Sequence, residues 1–595
     1  MLVYHSARRR LQGIFAFAIC GIIFTYILLD QTEIRPTHGK WYWKGKGYLA
    51  SSFDWSTRSL SHPVDPASIV PFPAGPPRAL LRVQHQFFPS DFDAAFNKTQ
   101  RERRNAVRDV AKKSWDAYRT YAWGRDEVRP LSLRGDDTFA GWGATLVDSL
   151  DTLWIMGFHS EFHEAVRQVA RIDWDKTTAP SCSVFETTIR YLGGLLSAYD
   201  LSGSPILLAK ALELGEMLLS AFDTPTHLPT NNLEFSRAKA GTLEASSRTA
   251  SAVLGTLSLE FTRLSQLTGN PKFHSAIDPI KHHLLRTQPT TKLPGMWPVH
   301  LTLSPSFHAQ DSTFSLGALS DSLYEYLPKT YALLAGTDPT YRALYVSAAA
   351  TIHENLLFAP MLPPSHQQPH EDILLPGTVL ANGAGVVDLL PEVQHLACFA
   401  GGMFALGGRL FHNASHVDVG ARLARGCAWA YERFPAGVMP ELSEVVACPA
   451  PYTKQCQWNQ TLFEERGGGG EEEEGLPRPW VSVRDAGYRL RPEAIESLFV
   501  MWRVTGSREW VERAWGMWER VREAVEVEGG GGFAAVEDVR VKGGRRGDSM
   551  ESFWIAETLK YFYLIFSDPD LISLDDYVLN TEAHPFRLMK PGDED

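Results

Sequence analysis

Along most of this chain an apolar helical pattern runs repeatedly into a Leu- or Val-led glycine turn, and a second, amphipathic helix follows. The marks are Gly203 in LSGSP, Gly269 in LTGNP, Gly336 in LAGTDP, Gly407 in LGGR and Gly506 in VTGSR, with an earlier one at Gly157 in IMGFHSEF. Glycine closes a helix in the left-handed conformation without a Cβ penalty, so each mark reads as the bend of a helical hairpin. Successive marks fall about 66 to 72 residues apart until the last interval, which is lengthened by the solvated run Gly467 to Glu474. A hairpin with one apolar face needs a neighbour to cover it, so the units stack as an open solenoid or as a closed toroid. Closure aims one helix end of every hairpin at a common axis, which gathers residues that are far apart in sequence.

Four carboxylates sit inside stretches that otherwise read as apolar helix: Glu186 in SVFETTIRYLGGLL, Asp321 in LGALSDSLYEYL, Glu493 in RLRPEAIESLFVMW and Glu557 in SFWIAETLKYFYLIF. Burying an ionised carboxylate is costly unless a partner, a metal or a reaction requires it. One of them would read as an ion-paired core residue, as Glu186 could be with Arg190 one turn later. Four point to an acid-lined pocket, and glycoside hydrolysis and calcium binding are the chemistries that most need convergent carboxylates. A net charge of −11 argues against nucleic acid as a partner, because phosphate binding wants a basic face.

The N-terminus sets the compartment. Residues 1–10 end in Arg8, Arg9 and Arg10, and residues 11–29 form an apolar run long enough to cross a bilayer. Positive charge stays cytoplasmic, which predicts a single-pass type II signal anchor with the remainder lumenal. A cleaved signal peptide would have a shorter apolar region ending at small residues, unlike Tyr26-Ile27-Leu28-Leu29-Asp30. Residues 30–79, rich in Pro, Ser and aromatics, read as a stem. Residues 80–595 read as one catalytic domain, with inserted loops near 359–377 and 463–478; the first is expected to be exposed. Sequons at Asn97, Asn413 and Asn459 suit a lumenal chain. Of six cysteines, Cys20 lies in the anchor. Cys398 and Cys427 fall on segments that read as neighbouring helices and are either a pair or two buried thiols; Cys448 and Cys456 flank a short loop they could close, leaving Cys182 single.

The blocks GWGATLVDSLDTLWIMGF, SVFETTIRYLGGLLSAYDLSG, LSLEFTRLSQLTG, HLACFAGGMFALG, LRPEAIESLF and ETLKYFYLIFSDPDLISLDDYVLNTEAHP, in this order, resemble the class I α-1,2-mannosidases, glycoside hydrolase family 47, from about residue 85 to 587. The resemblance implies an all-α fold, an (αα)7 barrel, and an inverting, calcium-dependent hydrolysis of terminal α-1,2-linked mannose from high-mannose N-glycans in the endoplasmic reticulum or Golgi. Position by position it implies Glu186 as a general acid and Glu493 as the general base. Asp321 is a further catalytic carboxylate, and the choice of proton donor between Glu186 and Asp321 stays open. Thr581 is implied as the direct Ca2+ ligand, with Glu557 and Glu582 acting on the metal's waters and the sugar hydroxyls. Phe553 is the aromatic under the terminal mannose, His395 a polar wall, and Arg190 and Arg491 orient the carboxylates or the glycan. The Cys398–Cys427 pairing is implied as well.

Two departures stand out. The segment before LSLEF reads AVLG, which places Val253 where the family's active-site glutamate is expected, and Leu319 replaces the arginine of some endoplasmic-reticulum members. The first weakens glycan contacts or catalysis, and gives an alternative reading: a mannosidase-like glycan receptor of glycoprotein quality control with weak or no turnover.

Overall fold

The computed structural model describes residues 47–73, 80, 82–363, 372–468 and 476–590, with a backbone pairing of Pro36–Thr37 and Lys40–Trp41. The tail and anchor assigned to residues 1–29 lie outside the described residues. Among the described residues no helix is long and apolar enough to cross a membrane.

The chain is mostly helical, built as two concentric layers. The outer helices are Ala94–Tyr121, His159–Val169, Pro205–Leu219, Lys272–Thr287, Pro339–Asn355, Ala414–Arg433 and Arg508–Val525. Each leads into an inner segment. The first is Ala144–Asp148 with Leu150–Ile155, and the second Val184–Glu186 running through Thr187–Leu192 into Gly193–Ser202. The third is Ser251–Gly255 with Ser258–Thr268, the fourth Asp321–Leu333, and the fifth His395–Phe399 with Ala400–Leu410. Glu493–Thr505 and Trp554–Thr558 with Leu559–Ile565 complete the set. Successive inner segments touch, and the last touches the first, so the seven hairpins close into a ring. Composition sorts the layers. Ala400–Leu410 is buried on nearly every side, whereas Arg508–Val525 buries Trp510, Val511, Ala514, Met517, Trp518 and Val521 and turns its charges outward.

The glycine marks place most of the bends. Gly157, Gly203, Gly269, Gly336 and Gly506 all have φ between 65° and 73°. Gly407 is the exception: it lies inside Ala400–Leu410, where a Cβ would meet the Tyr345 ring at 2.2 Å. That glycine serves close helix packing. The bend falls at His412, φ 56°, just before Asn413, whose side chain caps Ala414–Arg433 by accepting from the Ser415 and His416 amides.

Residues 47–73, assigned to the stem by composition, lie along the second and third outer helices. The Leu49 amide donates to the Ala170 carbonyl, Ser52 to Asp173, and Arg58 pairs with Asp223 behind a buried Trp55. The ends of the 359–377 loop are likewise packed, in contrast to the exposed loop expected: Leu357–Phe358 pairs with Leu375–Pro376, and Met361, Leu362, Ile373 and Leu374 are buried. Disulfides join Cys398 to Cys427 and Cys448 to Cys456, and Cys182 is a buried thiol.

One end of the ring is plugged from within. The antiparallel hairpin Tyr577–Leu579 and Pro585–Arg587 rests on Asp321–Leu333 and Gly193–Ser202, and its tip carries the fully buried Asn580, Ala583 and His584. Lys560, Asp148 and Asp151 surround His584: Asp151 accepts from its Nδ1 at 2.8 Å, Asp148 lies 3.0 Å from its Nε2, and Lys560 Nζ meets Asp151 at 2.9 Å. Such an ion cluster is weak evidence for stability, but it fixes where the tip sits.

Candidate active site

Three of the carboxyls in question start inner helices on the ring's interior. Glu186 ends the first turn of its helix, and its amide donates to the Ser183 hydroxyl at 3.2 Å. The helix then widens into a π segment over Thr187–Leu192, a distortion that functional sites favour. Arg190 within it donates to Glu186 at 2.8 Å, to Glu582 at 2.6 Å and to the Ser552 hydroxyl at 3.3 Å. The helical ion pair foreseen for Glu186 therefore forms, yet the guanidinium also bridges to the floor.

Asp321 is the first residue of Asp321–Leu333, and among the described residues its carboxylate accepts only from the amide and hydroxyl of Ser322, at 2.8 and 3.3 Å. Burial, reinforced by Glu325 and Glu493, pushes its carboxyl up to about 7. Glu493 is the first residue of Glu493–Thr505 and is half-buried; desolvation by itself would raise it. Here the His395 ring, 2.7 Å away through Nδ1, and the Arg491 charge outweigh burial and hold the carboxyl below its ordinary value. Tyr431 meets the other ring nitrogen at 2.6 Å and locks the imidazole. Arg491 is fixed by Glu441 at 2.8 Å. The Phe553 ring lies between the two guanidiniums, 5.5 Å from Arg491 and 5.7 Å from Arg190.

The floor is the plug's tip. The Thr581 amide donates to the Tyr326 hydroxyl at 3.3 Å, while its own hydroxyl and carbonyl have no protein partner among the described residues. Next to it Glu582 and Glu557 hydrogen-bond each other. Burial and their mutual charge push Glu557 well above the carboxylate range, and burial pushes Glu582 to about 8 despite Arg190. Two free oxygens on a threonine beside a pair of crowded carboxyls suit a hard, oxygen-seeking cation that accepts waters as further ligands. Among the described residues no group of three or more His, Cys, Asp or Glu is placed to hold a metal.

The ring thus gathers the sequence-derived residues Glu186, Arg190, Asp321, His395, Arg491, Glu493, Phe553, Glu557, Thr581 and Glu582 through linked contacts. Several partners went unnoticed in the sequence. Glu496 follows Glu493 by one helical turn on the same face, and burial pushes it to about 8 although Lys329 lies 3.5 Å away; the rule that found Glu493 applies to it. Glu441 and Tyr431 carried no signal, because a loop acid and a tyrosine in an amphipathic helix are ordinary. The departures are placed too. Val253 lies in Ser251–Gly255, which touches the helix of Glu186, and Leu319 is exposed at φ 75°, its carbonyl accepting from the Ala252 amide.

Comparison with known proteins gives the same answer from outside. Residues 110–588 match the model of glycosyl hydrolase family 47. The chain is 35% identical over 512 residues to a mannosyl-oligosaccharide 1,2-alpha-mannosidase of Arabidopsis thaliana, covering 84% of this chain and 81% of that one. It is 33% identical over 495 residues to the endoplasmic reticulum mannosyl-oligosaccharide 1,2-alpha-mannosidase of Homo sapiens, covering 82% of this chain and 64% of that one. Among solved structures, the alpha-1,2-mannosidase from Trichoderma reesei superposes with a TM-score of 0.72 at 32% identity, over 82% of this chain and 99% of that one.

Proposed function

The chain belongs to glycosyl hydrolase family 47, and on that premise we propose a division of labour among the carboxyls of its ring. The protein is a glycoside hydrolase, an α-1,2-mannosidase that trims terminal α-1,2-linked mannose from high-mannose N-glycans. Inversion needs a carboxylic acid at the leaving oxygen and a carboxylate that activates water on the opposite sugar face. Glu493 is the base: His395 and Arg491 keep it ionised, free to accept a proton from water. Asp321 is the acid: half-buried and with no paired cation among the described residues, it keeps a proton to about 7. Glu186 faces a guanidinium and is assigned to orienting Arg190 and the sugar. The single observation that carries this reading is the opposite shift of two half-buried carboxyls at equivalent helix starts.

Phe553, between the two arginines, offers its face to the terminal mannose. Thr581 would hold Ca2+ through its hydroxyl and carbonyl, Glu557 and Glu582 accepting from the ion's waters. When bound, the ion supplies a fixed positive charge for the sugar hydroxyls. The chain's part is to set those oxygens at the floor and to align Glu582 through Arg190.

The reading extends to the compartment. The apolar N-terminal run makes the protein a single-pass type II protein of the endoplasmic reticulum or Golgi with its ring in the lumen, and two disulfides suit that oxidising space. Val253 favours the receptor alternative, but the support built behind Glu493 has no purpose in a protein that only binds glycan.

The test is the full-length protein with a high-mannose oligosaccharide, followed by proton NMR. Free mannose should appear first as the β anomer, and a calcium chelator should stop its release. An α anomer would overturn the acid–base assignment, and tight glycan binding without release would establish the receptor.

A further inference from the structure

We infer that Glu260 is the positioning residue of the floor: from beneath, it sets the direction of every hydrogen bond that presents the Thr581 oxygens. The inference rests on the reading of Thr581 as the calcium ligand. Glu260 belongs to the inner helix Ser258–Thr268 and is fully buried. One carboxyl oxygen accepts twice, from the Asn580 side-chain amide and the Tyr326 hydroxyl, each at 2.7 Å, and the other oxygen has no partner. A buried carboxyl with an unfilled oxygen is expensive to keep, so a purely structural core position would favour an apolar or amide side chain.

What the acid does is fix polarity. Because Tyr326 donates its only proton to Glu260, its oxygen is left to accept, and it accepts from the Thr581 amide. Because Asn580 donates to Glu260 and to the Ile189 carbonyl, its own amide oxygen accepts from the Glu582 and His584 amides, at 2.9 and 2.8 Å. The amides of Thr581, Glu582 and His584 are all drawn into this network, and Ala583 closes the turn at φ 57°. Among the described residues the hydroxyl and carbonyl of Thr581 are left without protein partners, beside Glu557 and Glu582. Three inner helices contribute, through Ile189, Glu260 and Tyr326, so the network also ties the plug to the ring.

Residues that hold a ligand in place from outside its contact shell change metal affinity about 10- to 100-fold when removed. Calcium affinity, measured by titration calorimetry on the full chain in detergent, is therefore the readout, with the melting temperature of the calcium-free protein alongside. Tyr326→Phe and Glu260→Leu should each weaken calcium at least about tenfold, and Glu260→Gln, which keeps an acceptor oxygen, should stay within about threefold. If Glu260→Leu fails to fold, Tyr326→Phe decides, since it removes one oxygen and keeps the ring. Thr581→Val separates the two claims. Should it bind calcium like the wild type, the metal reading falls and the inference with it. Should it lose calcium while Tyr326→Phe and Glu260→Leu keep wild-type affinity and only lower the melting temperature, Glu260 is structural and the inference alone is overturned.

Discussion

Asp321 and Glu493 occupy the same local position in two hairpins. Each is the first residue of an inner helix, each is half-buried, and each faces the helix's positive end, worth about 0.3–1 kcal/mol to an anion. Yet one is pushed to about 7 and the other is held below its ordinary value. The difference lies in what the rest of the ring brings. Glu493 receives His395 from the fifth hairpin and Arg491 from its own approach loop; Asp321 receives its own turn and two like charges. Burial alone makes a carboxyl an acid, and a donor from a neighbouring hairpin makes it a base. A ring supplies both environments on one interior because every carboxyl has two different neighbours.

The most severe way to break the comparison is Glu493→Gln, which keeps the His395 contact and removes the proton acceptor. Loss of general base catalysis is worth about 10²–10⁴-fold, so kcat should fall about 10³–10⁴-fold while glycan binding persists. Retained kcat would hand the base to another carboxyl.

Asp321→Asn tests the other partner and should cost about 10²–10³-fold in kcat. It also carries a thermodynamic signature with a definite sign. A carboxyl whose folded value is raised contributes its stability below its unfolded value, near 3.8, and loses it as pH rises through about 7. Asparagine has nothing to lose. Its advantage in unfolding free energy should be absent near pH 4 and reach on the order of 1–3 kcal/mol by pH 8. An advantage equal at both pH values would mean that Asp321 is not protonated in the native state.

These two residues also show what a chain discloses before it is folded. An acid inside an apolar helical stretch violates a local rule, so Glu186, Asp321, Glu493 and Glu557 could be picked out one at a time. The hairpins follow from a local rule too, since a left-handed glycine ends a helix whatever surrounds it. Gly407 shows its limit, because a glycine that admits Tyr345 looks the same in sequence as one that bends the chain. The opposite protonation of Asp321 and Glu493 is not local. Their partners lie on other hairpins, and Glu441 and Tyr431 follow no period that would place them. Thr581, Phe553 and His395 came through family resemblance, since a lone threonine in a loop carries no physical signal.

Removing the donor should sharpen the comparison by making Glu493 resemble Asp321. His395→Ala leaves the half-buried Glu493 with Arg491 as its remaining charged partner. The hydrogen bond from His395 is the largest influence lowering Glu493, so its pKa should rise. Because the base works ionised, the acid limb of kcat/KM should move to higher pH, and kcat at neutral pH should fall about 10- to 100-fold. An unmoved limb would leave Arg491 as the group that holds the carboxylate.

Tyr431→Phe reaches one bond further out and should do least. The hydroxyl hydrogen-bonds to the far nitrogen of His395 and to Tyr488, and the ring keeps its shape and edge contact without it. A neutral buried hydrogen bond is worth about 0.5–1.5 kcal/mol, so kcat should drop by no more than about tenfold and the acid limb should move in the same direction as in His395→Ala, by less. The ordering is the informative part. If Tyr431→Phe shifted the limb as far as His395→Ala, the imidazole would be acting through its orientation, since the proton it donates to Glu493 is still present; a shift confined to His395→Ala would assign the effect to that proton itself.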